Sequence, residues 1–139
     1  ELPPSLEMLR LYHCSKLLSL MELPSSLINL YLDACMEHMS LSELPPSLKV
    51  LRLHNCRELV SPKLPPSLEE LHLDHCKELM SLSEPLPYLE VLCLHCCMKF
   101  RSSPKNLPPF LRDLYLDDCM KLASLSAGAS IVSERGEHL

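Results

Sequence analysis

Residues 64–82 read LPPSLEELHLDHCKELMSL. Outward from this line in both directions the chain returns to one frame, L-x-x-L-x-L-x-x-C. The frame occurs at Leu6, Leu9, Leu11 and Cys14; Leu27, Leu30, Leu32 and Cys35; Leu48, Leu51, Leu53 and Cys56; Leu68, Leu71, Leu73 and Cys76; Leu89, Leu92, Leu94 and Cys97; and Leu111, Leu114, Leu116 and Cys119. Successive starts lie 21, 21, 20, 21 and 22 residues apart. A fixed period of this length marks a repeat architecture, in which each unit buries its apolar side only against its neighbours.

Within each copy the x-L-x-L-x segment alternates apolar and polar residues, the period of a half-buried strand. One short strand per repeat is therefore expected. Proline pairs stand just upstream of most copies, at Pro3-Pro4, Pro45-Pro46, Pro65-Pro66 and Pro108-Pro109, with Pro24 and Pro87 in the other two. Proline is excluded from helix interiors and favours extended polyproline-type backbone, so the return path is not a long helix. A single copy has too few leucines to close a core, and strand must lie beside strand at about 4.8 Å. The expectation is an α/β-type solenoid over residues 1–125, with six short parallel strands on the concave face, an extended or 3-10 convex side and no long helices. Residues 126–139 break the repeat and form a tail, either a partial cap or a frayed end.

Composition narrows the function classes. The 139 residues are 47% hydrophobic with a net charge of -5, enough apolar material for a core and a poor match to disorder. The 13 Lys and Arg are dispersed, which argues against a nucleic-acid partner. Both glycines, Gly128 and Gly136, fall in the tail, so the repeats hold no glycine-rich phosphate loop. No apolar run approaches the roughly 18 residues of a membrane span. The absence of an Asn-x-Ser/Thr sequon and the fixed phase of the cysteines point to a reducing, cytoplasmic compartment. The chain opens at Glu1 with no capping segment before Leu6, so an upstream part of a longer chain is expected to cover the first leucine layer.

The frame resembles the leucine-rich repeat family over nearly all of residues 1–126. The lines ELPPSLKVLRLHNCRELVS and LPPSLEELHLDHCKELMSL resemble in particular the C-terminal repeats of plant intracellular immune receptors of the TIR, nucleotide-binding, leucine-rich class. Bacterial secreted effectors with ubiquitin-ligase tails share the ELPPSL register, usually with Asn where this chain has Cys, and the substrate-binding repeat region of such an effector is the alternative this resemblance implies. The resemblance implies a non-catalytic module that binds a protein on its concave face, sensing a ligand or restraining the upstream domains of its own chain. In that family the ninth position turns the chain inward, usually as Asn. Here it is cysteine, so Cys14, Cys35, Cys56, Cys76, Cys97 and Cys119 are expected as a buried column of reduced thiols. A serine five residues after each of them marks a turn. In the second copy His38 stands where the others carry Leu or Phe, and Met39 is expected to turn inward in its place. Residues 101–106, RSSPKN, are expected to bulge outward.

With the leucines inward, the residues between and after them share the other face. The first column holds Arg10, Tyr31, Arg52, His72, Cys93 and Tyr115; the second holds Tyr12, Asp33, His54, Asp74, His95 and Asp117. A third column follows at His13, Ala34, Asn55, His75, Cys96 and Asp118. The face runs from a cationic, aromatic end at Arg10, Tyr12, His13, Tyr31 and Arg52 to an acidic end at Asp113, Asp117 and Asp118 around Tyr115. Tyr and Arg dominate binding hot spots, and Tyr31 flanked by Arg10 and Arg52 is the leading contact candidate.

His72, His75, Cys93 and Cys96 have zinc-ligand chemistry, but residues three apart in an extended strand lie about 10 Å from each other, too far for one tetrahedral ion. His-Asp neighbours are present, yet an open sheet offers no water-excluding pocket for catalysis. The expectation is a binding protein, not an enzyme, with neither cofactor nor metal; a Cys/His metal-binding protein is the alternative of a different class.

Overall fold

The computed structural model describes residues 2–13, 22–34, 44–57, 59–60, 62–82, 86–100, 108–117 and 130–132, the backbone alone for 117 and 130–132. Six five-residue strands run in chain order: β1 (Met8–Tyr12), β2 (Asn29–Asp33), β3 (Val50–His54), β4 (Glu70–Asp74), β5 (Val91–His95) and β6 (Asp113–Asp117). Each pairs in parallel with the next, and a three-residue β7 (Ser130–Val132) completes the sheet beside β6. The chain is thus a parallel-strand solenoid, with no helix among the described residues. No described helix is long and apolar enough to cross a membrane. The tail adds a strand beyond the six expected, with Ile131 in register with Leu114.

Register keeps like with like. Leu9, Leu30, Leu51, Leu71, Leu92 and Leu114 pair across the sheet, as do Leu11, Leu32, Leu53, Leu73, Leu94 and Leu116. With the first leucine of each frame and Leu59, Leu79 and Phe100, these rows form one continuous core. In a parallel stack each strand takes its hydrogen bonds from the neighbouring turns, so a single repeat could not hold this shape alone.

Two turns bound the described repeats. In the first, the N–H of Leu48 donates to Pro45 O at 3.2 Å and that of Leu68 to Pro65 O at 3.3 Å. This differs from the extended path expected of the proline pairs. The first proline supplies the accepting carbonyl, and Pro46 or Pro66 takes the next position, where a fixed φ near −65° opens a β-turn. In the second, Leu79 N donates to Cys76 O at 3.2 Å and Phe100 N to Cys97 O at 3.1 Å. The i-to-i+3 geometry expected of the return path is present as isolated turns.

Side chains lock one turn of the solenoid to the previous one. Ser26, Ser47 and Ser67 hydroxyls donate to Leu6 O, Leu27 O and Leu48 O at 2.6–2.7 Å. Tyr88 and Phe110 hold the corresponding place in the fifth and sixth copies and are exposed. Among the described cysteines, Cys56, Cys76 and Cys97 are buried. The Cys76 thiol donates to Leu53 O (3.9 Å) and the Cys97 thiol to Leu73 O (3.6 Å), both one repeat back. Sulfur bonds this long are weak, but they bridge neighbouring turns from inside the core. Hydrogen bonding to Cys56 and burial, partly opposed by Cys97, push the Cys76 thiol up to about 12. Cys14, Cys35, Cys119, His38, Met39, residues 101–106 and every member of the serine column except Ser81 lie outside the described residues.

Candidate functional site

The residue after each of β1 to β5 has a left-handed backbone: φ is 53° at His13, 55° at Ala34, 56° at Asn55, 56° at His75 and 54° at Cys96, while Asp118 lies outside the described residues. This bend lets the same residue extend the sheet ladder. His13 N donates to Asp33 O, Ala34 N to His54 O, Asn55 N to Asp74 O and His75 N to His95 O, all at 2.8–2.9 Å. Asn and His tolerate this region better than other non-glycine residues, while Ala and Cys carry the ordinary Cβ penalty. The third column therefore does not continue the strand. It turns at the strand end, where the His75 side chain meets Asp74, His54 and His95 of the second column.

On the strands themselves, register assembles the expected rows. Arg10 pairs with Tyr31, Tyr31 with Arg52, Arg52 with His72, His72 with Cys93 and Cys93 with Tyr115. Arg10 and Arg52 are exposed, and Tyr31, His72, Cys93 and Tyr115 are half-buried. Tyr31 therefore does lie between two guanidinium-bearing strands. Its ring partner is Tyr12, at a centroid distance of 5.6 Å and an interplanar angle of 45°. Partial burial first, then the Asp33 carboxylate, raises the Tyr31 hydroxyl above its ordinary range.

A shallow depression of about 290 Å³ opens here, lined by Arg10, Tyr12, Tyr31 and Arg52 together with Met8, Asn29 and Val50. The last three went unread in the sequence, although a signal was available. They lie two residues before Arg10, Tyr31 and Arg52, and a period of two puts them on the same face. A second groove, lined by Pro87, Tyr88, Glu90, Phe110 and Arg112, opens beside the exposed aromatic pair.

The second row alternates acid and imidazole. Tyr12, Asp33, His54, Asp74, His95 and Asp117 stand in register on successive strands. His54 lies between two carboxylates, with Nδ1 3.6 Å from Asp33 Oδ2 and Nε2 3.5 Å from Asp74 Oδ2. Asp74 Oδ1 also meets His95 Nδ1 at 3.2 Å and His75 Nδ1 at 2.6 Å. Opposite charges facing across strands contribute about 0.2–1 kcal/mol per pair when the imidazoles are protonated.

The structure does not gather the His72, His75, Cys93 and Cys96 set. His72 turns to Glu70 Oε1 at 3.2 Å, and burial holds its imidazole below the ordinary range, with that hydrogen bond opposing. His75 goes instead to Asp74, His54 and His95. Burial, helped by Glu70, pushes the Cys93 thiol up to about 11, so it is protonated near neutrality and a poor nucleophile. Compared with protein-family models, with curated proteins and with solved structures, the chain matches none of them.

Proposed function

We propose that the chain is a leucine-rich repeat module that recognises a protein through its polar strand face, the concave side of the solenoid. The row Arg10–Tyr31–Arg52 and the depression around it carry this reading. Tyr and Arg combine contact area with hydrogen bonding, and here a rigid sheet holds them at fixed spacing, which lowers the ordering cost of binding. The repeated frame and the Leu-Pro-Pro-Ser-Leu lines extend the proposal to the repeat region of a plant intracellular disease-resistance receptor. Its partners would then be a pathogen protein or the upstream domains of its own chain, in the cytoplasm.

The test is a photo-crosslinking amino acid placed at position 31 on the polar face or at position 80, where the exposed Met80 lies outside the strands. Plant cell extract then supplies the partner. Adducts from position 31 alone support the proposal; adducts from position 80 alone, or from neither, overturn it.

A further inference from the structure

At the C-terminal ends of β3, β4 and β5 three imidazoles converge on one carboxylate. Strand register sets His54 and His95 on either side of Asp74. His75 joins them through its left-handed φ of 56°, and its ring lies between the other two, 5.6 Å from His54 and 5.4 Å from His95 by centroid.

We propose that His54, Asp74 and His75 bind one divalent transition-metal ion of the zinc class, with the fourth position left to water. Imidazole nitrogen and carboxylate oxygen are the donors such ions take, whereas calcium and magnesium prefer all-oxygen sets. One ligand atom from each of His54, Asp74 and His75 lies within 4.8 Å of the others. In a tetrahedral site with bonds of about 2.0–2.1 Å, donors stand roughly 3.3 Å apart. The 3.5 Å separation of His54 Nε2 from Asp74 Oδ2 is already close to that edge. The 2.6 Å hydrogen bond between His75 Nδ1 and Asp74 Oδ1 must open, its proton passing to solvent or to Nε2 as the metal takes its place.

A second observation favours a ligand over a mere network of charges. The His54 nitrogen turned away from Asp74 faces Asp33, at 3.6 Å. A carboxylate behind the ring is the usual outer partner of a metal-binding histidine, and Asp33 stands there as an ion-pair neighbour just outside hydrogen-bond length. His54, His75 and His95 are 30%, 38% and 31% exposed, so an ion can enter without a backbone movement. The inference does not depend on the protein-recognition reading above.

The test titrates Co²⁺ and then Zn²⁺ into the whole chain at about pH 7.5, where imidazoles are mostly neutral. The expected result is one ion per chain, Co²⁺ absorption of tetrahedral type without a thiolate charge-transfer band, and a melting temperature raised by Zn²⁺. His54→Gln and His75→Asn should each weaken binding at least tenfold and remove that rise; Asn at 75 accepts the left-handed backbone, so the fold is kept. A Cys93→Ser/Cys96→Ser variant should bind like the parent. Absence of stoichiometric binding, loss of binding in the cysteine variant, or full affinity in both histidine variants overturns the proposal.

Discussion

Leu30, Leu51, Leu71 and Leu92 are fully buried, while Tyr31, Arg52, His72 and Cys93, one residue later in the same strands, stand exposed or half-buried on the other face. The first set never changes from repeat to repeat; in the second, no two neighbours are alike. Both sets share the same backbone and register, so the contrast arises from what each touches. A leucine in the stack packs against the layers above and below, and a change of volume is felt by both. A residue on the polar face meets water and its cross-strand neighbours, so chemistry can vary there at little cost in stability. A gradation also runs along the buried side. Leu71 is 0% exposed, whereas Leu11 in the first strand is 9% exposed and Leu9 is only partly buried.

The largest effect that would sharpen this contrast is a truncation inside the stack. Leu71→Ala should cost about 2–5 kcal/mol, because the cavity lies between β3 and β5 and neither can collapse into it without breaking register. Leu9→Ala, partly wetted already, should cost less than half as much. Arg52→Ala, on the exposed side, should stay within about 0.5 kcal/mol. Urea unfolding of the three variants measures all of this; equal losses for Leu71 and Leu9 would break the distinction between interior and edge layers.

The buried side was legible in the sequence because it is periodic. Leucines spaced by two within a strand and by about twenty-one between strands admit one parallel register, and the observed pairs, Leu51 with Leu71 among them, follow it. The first and second columns of the polar face followed from the same alternation. What escaped the reading lies where alternation stops. Asn55 and His75 follow a strand, and nothing in the frame says that the backbone there turns left-handed. In an extended strand His75 would stand about 10 Å from His72 with no partner assigned; turned, it meets His54 and His95. The missed Met8, Asn29 and Val50 are a different failure, since two-residue spacing already placed them beside Arg10. The proline pairs rule out a helix and suggest extended backbone, but the same fixed φ also opens a β-turn, and that is the path the chain takes.

An intermediate effect is expected at the joint between the two sides. Ser67 donates to Leu48 O at 2.6 Å, stitching one turn of the solenoid to the previous one. Ser67→Ala removes a hydrogen bond and little volume, so a loss of about 0.5–1.5 kcal/mol is expected in the same unfolding experiment. A loss as large as that of Leu71→Ala would mean that the hydroxyls, and not the leucines, hold the stack together.

The smallest of the effects on the backbone frame has the opposite sign and tests the turn that carries the third column. Ala34 sits at φ 55° with its N–H 2.9 Å from His54 O, so the position is fixed by the ladder and cannot relax to a more comfortable angle. A Cβ there costs about 1–2 kcal/mol, and glycine removes that cost while adding about 0.4–1 kcal/mol of unfolded-state entropy to be lost on folding. Ala34→Gly should therefore stabilise by roughly 0.5–1 kcal/mol. At Asn55, φ 56°, the same replacement should gain less, because an Asn side chain already accepts this backbone. The order of the two gains matters more than their size. If Asn55→Gly stabilised as much as Ala34→Gly, side-chain identity in this column would be irrelevant to the turn, and His75 would owe its place among the other imidazoles to something other than the bend.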